Sequence, residues 1–328
     1  MSLTSELKIT RGFARTFVDS HFSNLSAISR ECNRSLRNFG TLPNLHAHGV
    51  VSMLVGTAID YRLRAYFRRN VHRSSVIQQG LRTLEVCHSL EVPLGAGRGY
   101  FETRLIKNRW VTSRGRHTRS KLMASFERTT AKIKLRQRLT DRMEERMCRF
   151  AVLFAYLDCI GRAPGGNSAL ERVMVLGEFT VSKILSTMDS AIVADVVLLS
   201  GMFFERHQDL IKGARKVVIG RSFLGSVDVP GGADFDMIID GCLFDFKTTL
   251  KPKVTTEALR QLVGYWLLDY ENKYQIETVA VLLLRQGRLQ RFNIRDLLTS
   301  EFLPSMLRSK FRDGLRQDHA LRSAHLKG

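Results

Sequence analysis

The sequence predicts an α/β fold in which helices flank a mixed central β-sheet and a large helical portion precedes it. Three observations carry this expectation. Apolar residues recur at helical spacing through most of the first two hundred residues. From Lys216 the period changes to short apolar runs punctuated by Gly and Pro. A helical stretch then separates those strands from a last apolar hairpin, and the order helices, strands, helix, strands is that of a layered α/β architecture.

The elements follow in chain order. Residues 5–38 read as helical, with basic residues throughout. Pro43 and Gly49 punctuate, and a helix is predicted from about Val50 to Arg69, with Met53, Leu54, Ile59, Leu63 and Phe67 on its apolar face. Residues 102–146 carry fourteen Lys/Arg against five Asp/Glu on a mostly helical pattern. An apolar helix is predicted over about Met147–Cys159, a loop at Ala163–Asn167, and two or three helices over 168–214. The stretch from Lys216 to Thr249 reads as three short strands, and a helix follows at about Thr255–Glu271. The final hairpin turns at Gln286-Gly287. The predicted organisation is an N-terminal helical arm over 1–45, a core over 46–300 interrupted by a basic helical insertion at about 100–165, and a basic C-terminal tail over 301–328.

Composition bounds the function classes. With 328 residues, 44% of them hydrophobic, the chain has ample material for one large domain or two modest ones. Fifty-one Lys and Arg face thirty-one Asp and Glu, a net charge of +20 that points to a polyanionic partner, because each neutralised phosphate releases a condensed counterion. The basic run over 102–146 is either a solvated helix face or a phosphate-tracking arm. Arg116, Arg119, Lys121, Lys132, Lys134 and Arg136 are its candidate nucleic-acid contacts. The five cysteines are scattered and none pairs as CxxC, which suggests a reducing, cytoplasmic setting. The first residues lack the apolar region of a signal peptide, and the most apolar run, Ala191 to Phe204, is too short to span a bilayer, so no membrane partner is expected. His46 and His48 lack a third metal ligand nearby, and Gly95-Ala-Gly97-Arg-Gly99 lacks the Gly-Lys-Ser/Thr that a nucleotide loop needs.

The chemistry-bearing constellation is the stretch GGADFDMIIDGCLFDFKTT. Asp240-Gly241 between two apolar runs signals a two-residue type I′ turn. Ile239 then pairs with Cys242, Asp236 falls opposite Asp245, and Asp234 opposite Lys247. Alternation puts these four residues on one face and Phe235, Met237, Ile239, Phe244 and Phe246 on the other. Two facing carboxylates repel unless a cation lies between them, and Mg²⁺ is the natural one. A neighbouring lysine can then hold or help deprotonate water. The plain alternative is a surface hairpin with an Asp234–Lys247 salt bridge.

These residues resemble the PD-(D/E)XK nuclease superfamily, in which an acidic residue, a short hairpin and Asp-x-Lys form the site. Gln261-Leu-Val-Gly-Tyr265, fourteen residues after Lys247, is similar to the Q-x-x-x-Y motif of its RecB-like clade; the i, i+4 spacing places both side chains on one helix face. Gly56-Thr-Ala-Ile-Asp60 resembles the clade's upstream motif, with aspartate where histidine is usual. Neither the literal Pro-Asp dipeptide nor the iron–sulfur cysteines of some relatives are present.

The resemblance implies a restriction-endonuclease-like core and a Mg²⁺- or Mn²⁺-dependent deoxyribonuclease. Asp236 and Asp245 would be metal ligands, with the Phe246 carbonyl and Asp60 joining them, although Asp60 has a competing use as an ion-pair partner of Arg64. Lys247 would orient the attacking water, and Gln261 and Tyr265 would position the scissile phosphate. Asp234 is the reserve for Asp236 and Asp228 a weaker one; Thr248 and Thr249 either donate to a phosphate or end a strand. The expected partner is DNA, with RNA as a second polyanion and a controlling protein as a further partner. The alternative is a nuclease fold without catalysis that serves as a nucleic-acid-binding subunit.

Overall fold

The computed structural model describes residues 3–10, 12–45, 49–90, 113–162, 181–220, 222–230 and 232–325. His46, His48, Gly95–Gly99 and Ala163–Asn167 lie outside them. Packing divides the chain into two units, one formed by Met1–Pro43 with Gly213–Gly328 and the other by Asn44–Lys212.

The first unit begins with three helices, α1 (Leu3–Glu6), α2 (Phe13–His21) and α3 (Leu25–Leu36). The second unit supplies α4 (Gly49–Phe67), α5 (Ser75–Leu90), α6 (Ser113–Ala131), α7 (Asp141–Arg162), α8 (Val181–Ser186) and α9 (Ser190–Gly213). The chain then returns to the first unit with β1 (Val217–Ile219), β2 (Met237–Ile239), β3 (Cys242–Lys247), α10 (Thr256–Leu268), β4 (Thr278–Leu283), β5 (Arg288–Asn293), α11 (Ile294–Leu297) and α12 (Pro304–His325).

The five strands form one mixed sheet in sequence order. β3 and β4 pair in parallel, and every other neighbouring pair is antiparallel. Parallel pairing of β3 and β4 requires a crossover, which α10 provides. Thr255 starts that helix cleanly, its hydroxyl accepting from the Ala258 N–H at 3.1 Å. Leu259, Leu262, Val263 and Trp266 of α10 share a buried cluster with Ile238, Leu243, Val279, Val281 and Leu283 of the sheet. Each such side chain contributes about 1.5–3 kcal/mol when removed from water, so this layer fixes α10 over one face of β3.

The division differs from the predicted one. The N-terminal segment is no free arm: Leu3, Leu7, Phe17, Val18 and Phe22 lie in the same core cluster as the sheet. The predicted tail is α12, whose Leu307, Phe311 and Leu315 enter that cluster too. The inserted unit begins at Asn44, well before residue 100, and ends at Lys212 rather than near residue 165. These boundaries depend on long-range packing, which local periodicity does not encode.

Within the second unit, α4 buries Leu54, Ile59, Leu63 and Phe67, whereas Met53 is 70% exposed and falls off the predicted face. α5 and α7 approach closely at Gly80, where an added Cβ would stand 2.0 Å from the Leu157 carbonyl oxygen. A bidentate pair between the buried Arg62 and Glu144 ties α4 to α7, with the Ser200 hydroxyl also donating to Glu144. Among the described residues, no helix is long and apolar enough to cross a membrane.

Candidate functional site

The site is built at one end of the β2–β3 hairpin. Asp240 and Gly241 both adopt positive φ, 47° and 76°, as a type I′ turn requires. The Asp240 carboxylate also accepts from the N–H groups of Arg215 and Lys216, the latter at 2.8 Å, which fastens the turn to the segment entering β1. Pairing runs Ile239 with Cys242, Ile238 with Leu243 and Met237 with Phe244. This is the register expected from the two-residue turn.

Past Met237 the hairpin departs from regular pairing. The chain bends at Asp236, and the strand pairing ends at Met237–Phe244. The Phe246 N–H therefore donates to the carboxylate Oδ2 of Asp236 at 3.0 Å. A side chain thus satisfies a strand donor and brings Asp236 beside Asp245. The bend also overturns one expectation, that Phe235 lies with Met237 and Phe244. Phe235 instead packs on Phe223 and Tyr274 in the cluster under α10. Strict alternation holds only while a strand stays straight.

Asp245 is 5% exposed, and Lys247, two residues along the same face, reaches both of its oxygens. The contact to Oδ1 at 3.0 Å is a hydrogen bond. Oδ2 lies 2.8 Å from Nζ yet has no aligned donor, so it is a buried carboxylate oxygen with an unused acceptor direction. Burial pushes the Asp245 carboxyl up to about 6 against the pull of Lys247, and Asp236 adds to the rise. Burial opposes the Lys247 charge, but Asp245 and Asp236 outweigh it and hold the ammonium above its ordinary value. Lys247 therefore stays protonated near neutrality.

From α10, Gln261 Nε2 donates to the Tyr265 hydroxyl at 3.0 Å, as expected for side chains one helical turn apart. Burial raises the Tyr265 phenol, the Gln261 hydrogen bond opposes this, and the carboxylates of Asp236, Asp245 and Asp234 raise it further. The field of all three carboxylates is thus felt at the tyrosine oxygen. With Gln261 donating to that oxygen, the Tyr265 proton is left to donate elsewhere.

The other predicted residues take different places. Asp234 is exposed, bridges to Ser222 and accepts from the Ser222 hydroxyl, so the Asp234–Lys247 salt bridge is not formed. Asp228 lies in a 3₁₀ turn, not a strand, and pairs with Arg316 at 2.9 Å. Thr248 and Thr249 end the strand. The Thr248 carbonyl accepts from the buried Arg285 at 2.8 Å, and the Thr249 carbonyl accepts from Gln286 at 3.2 Å. Arg285 and Gln286 precede the left-handed Gly287 at the predicted turn. Sequence reading missed this anchoring of the chain beyond Lys247; two long polar side chains in an otherwise apolar hairpin were the available signal.

Asp60 belongs to the second unit, where its carboxylate receives Arg64 Nε at 2.8 Å. In the same unit Lys121, Lys132 and Lys134 are exposed, and the side chains of Arg116 and Arg119 lie outside the described residues. Arg136 serves packing: its N–H donates to the Tyr66 carbonyl at 2.9 Å and its guanidinium lies 5.9 Å from the Phe67 ring centre.

Among the described residues no group of three or more His, Cys, Asp or Glu side chains stands ready to hold a metal ion. The Asp236–Asp245 pair offers two. Mg²⁺ is often held by one or two carboxylates, with water and substrate oxygens completing its octahedron. Hard oxygen donors and the open acceptor direction of Asp245 Oδ2 fit such an ion. No protein family, characterised protein or solved structure matches the chain.

Proposed function

We propose that the chain is a Mg²⁺- or Mn²⁺-dependent deoxyribonuclease, with Asp236, Asp245 and Lys247 as its catalytic set. One observation carries this reading. A β-bend sets a second carboxylate beside the buried Asp245, whose charge Lys247 offsets and whose Oδ2 has no aligned donor among the described residues. The Phe246 hydrogen bond gives Asp236 a structural use, but leaving the neighbouring Asp245 desolvated and charged is a cost that a purely structural hairpin does not need.

When bound, the divalent ion supplies Lewis acidity, which favours ionisation of water and stabilises charge on phosphate oxygens. Asp236 and Asp245 hold it through carboxylate oxygens. Lys247, protonated near pH 7, orients a water through Nζ and offsets negative charge that develops on the phosphate. Tyr265 and Gln261 provide donors on the same side of the sheet, suited to the phosphate's non-bridging oxygens. The net charge of +20 favours a nucleic-acid substrate.

A nuclease assay tests the proposal. Wild-type chain is expected to cut plasmid or linear DNA in Mg²⁺ or Mn²⁺ and to stop in EDTA, while Asp245→Ala cuts nothing. If purified wild type is inert on single-stranded, linear and supercoiled DNA in both metals, the proposal fails. The Asp60 carboxylate, held by Arg64 at 2.8 Å, favours a second reading, a nucleic-acid-binding subunit without catalysis. That version expects DNA binding that is unchanged by EDTA and by Asp245→Ala.

A further inference from the structure

Within the second unit, α6 and α7 flank an open pocket of about 470 Å³ lined by Ser125, Arg128, Thr129 and Lys132 from one helix and its end, and by Thr140, Arg142, Met143 and Arg146 from the start of the other. Four of these residues are cations and none is an acid. The spacing 125, 128, 129 on α6 and 142, 143, 146 on α7 puts each set on one helical face, with Lys132 just past the end of α6.

Among the described residues these cations lack counter-charges. Several other arginines of the unit do meet carboxylates: Arg62 with Glu144, Arg64 with Asp60, Arg149 with Glu145, Arg162 with Asp158. Around the pocket, none of Arg128, Lys132 and Arg142 has a carboxylate within ion-pairing distance among the described residues. Arg146 is oriented by neutral hydroxyls, Nε donating to Thr129 Oγ1 at 3.1 Å and Nη2 to Ser125 Oγ at 3.4 Å. These bonds fix its direction without neutralising it. A planar guanidinium held in place beside further cations is the arrangement that phosphate recognition uses.

We infer that this pocket is a phosphate-binding site that grips the backbone of a nucleic-acid strand. The nucleic-acid partner, though not the phosphate chemistry, rests on the nuclease proposal. Arg146 supplies directional donors, and Arg128, Arg142 and Lys132 supply charge around it. Contacts of this kind carry no base preference and make affinity strongly salt-dependent.

The test is fluorescence anisotropy of a labelled DNA duplex with the full chain in EDTA, across a series of KCl concentrations. Arg128→Glu/Arg142→Glu is compared with Lys8→Glu/Arg37→Glu, which removes equal charge from exposed positions in the first unit. Arg128 and Arg142 are exposed, so the variant keeps the fold, checked by circular dichroism. The expected result is a Kd at least tenfold weaker than that of the control, with a salt slope shallower by about two, near one counterion per lost contact. Equal DNA binding by variant and control, with equal stabilisation of wild type and variant by inorganic tripolyphosphate, overturns the site. A thermal-shift arm with inorganic tripolyphosphate separates the sources of phosphate. If tripolyphosphate stabilises wild type but not the variant while DNA affinity stays at the control level, the nucleic-acid assignment is overturned. Because EDTA removes catalysis, loss of binding in the variant upholds the site even in a chain that never cuts DNA. Cleavage with pocket-independent binding of both DNA and tripolyphosphate upholds the nuclease and sinks the site.

Discussion

The carboxylate Oδ2 of Asp236 accepts a hydrogen bond from the Phe246 N–H at 3.0 Å, standing in for a strand carbonyl at the end of the β2–β3 pairing. Structure and charge are therefore separable at this residue. Asp236→Ala leaves a strand N–H without its acceptor and is expected to cost about 1–2 kcal/mol in urea unfolding. Asp236→Asn keeps an acceptor and is expected to lose under about 0.5 kcal/mol, since it preserves the bond but removes the charge. Both variants are expected to lose metal-dependent cleavage. An Asn variant as unstable as the Ala variant would show that charge, not hydrogen bonding, holds the bend.

Asp245 titrates at about 6, above its ordinary 3.8, because burial penalises its charge. The folded chain thus holds this proton more firmly than the unfolded chain. Its contribution to stability is complete below about pH 4 and is lost as pH rises through 6. Asp245→Asn has no such loss. Its stability relative to wild type is expected to rise between pH 4 and pH 7, on the order of 1–3 kcal/mol, in metal-free urea titrations. A relative stability that falls over that range contradicts the assignment.

The same proton competes with a cation. Apparent Mn²⁺ affinity, read by calorimetry, is expected to fall about tenfold per unit below pH 6 in wild type, because the ligand must be deprotonated. Affinity that is flat from pH 7 to pH 5 would place the metal elsewhere.

Tyr265 packs its ring against Phe223 at 5.9 Å and accepts from Gln261 through its hydroxyl. Tyr265→Phe keeps the ring, so stability is expected to change by less than about 1 kcal/mol. Cleavage is expected to drop at least tenfold if the phenol donates to the phosphate. Unchanged cleavage would reduce the Gln261–Tyr265 pair to helix packing.

The turn sets the register on which the carboxylate pair depends. Gly241 has φ 76°, and an added Cβ would stand 2.9 Å from the Gln275 carbonyl oxygen. Gly241→Ala is expected to destabilise the chain by about 1–3 kcal/mol, measured by thermal unfolding. A neutral substitution would show that the turn is free to rearrange.

Much of the sheet was legible because its determinants are local. Asp240-Gly241 specifies a turn and the turn specifies the register as far as Met237–Phe244, beyond which a bend sets the Asp236 carboxylate beside Asp245. The i, i+4 spacing of Gln261 and Tyr265 is equally local. Phe235 was misplaced because a bend at one residue cancels alternation. The cores of α2 and α12 were hidden for another reason. Phe17 and Val18, or Leu307, Phe311 and Leu315, form narrow apolar stripes within basic stretches, and only tertiary packing makes them core. The division at Asn44 and Lys212 joins segments some 170 residues apart, which no sequence window spans.

The proposed cleavage depends most on Asp236, Asp245 and Lys247, and Lys247→Met separates metal binding from cleavage there. Single-turnover cleavage of a labelled duplex in Mn²⁺, with Mn²⁺ affinity measured on the same preparations, is the direct test. The expected result is that wild type cuts, and that Lys247→Met still binds Mn²⁺ but cuts at least a hundredfold more slowly. Cleavage by Lys247→Met at the wild-type rate, or no cleavage by wild type that binds Mn²⁺, contradicts the account.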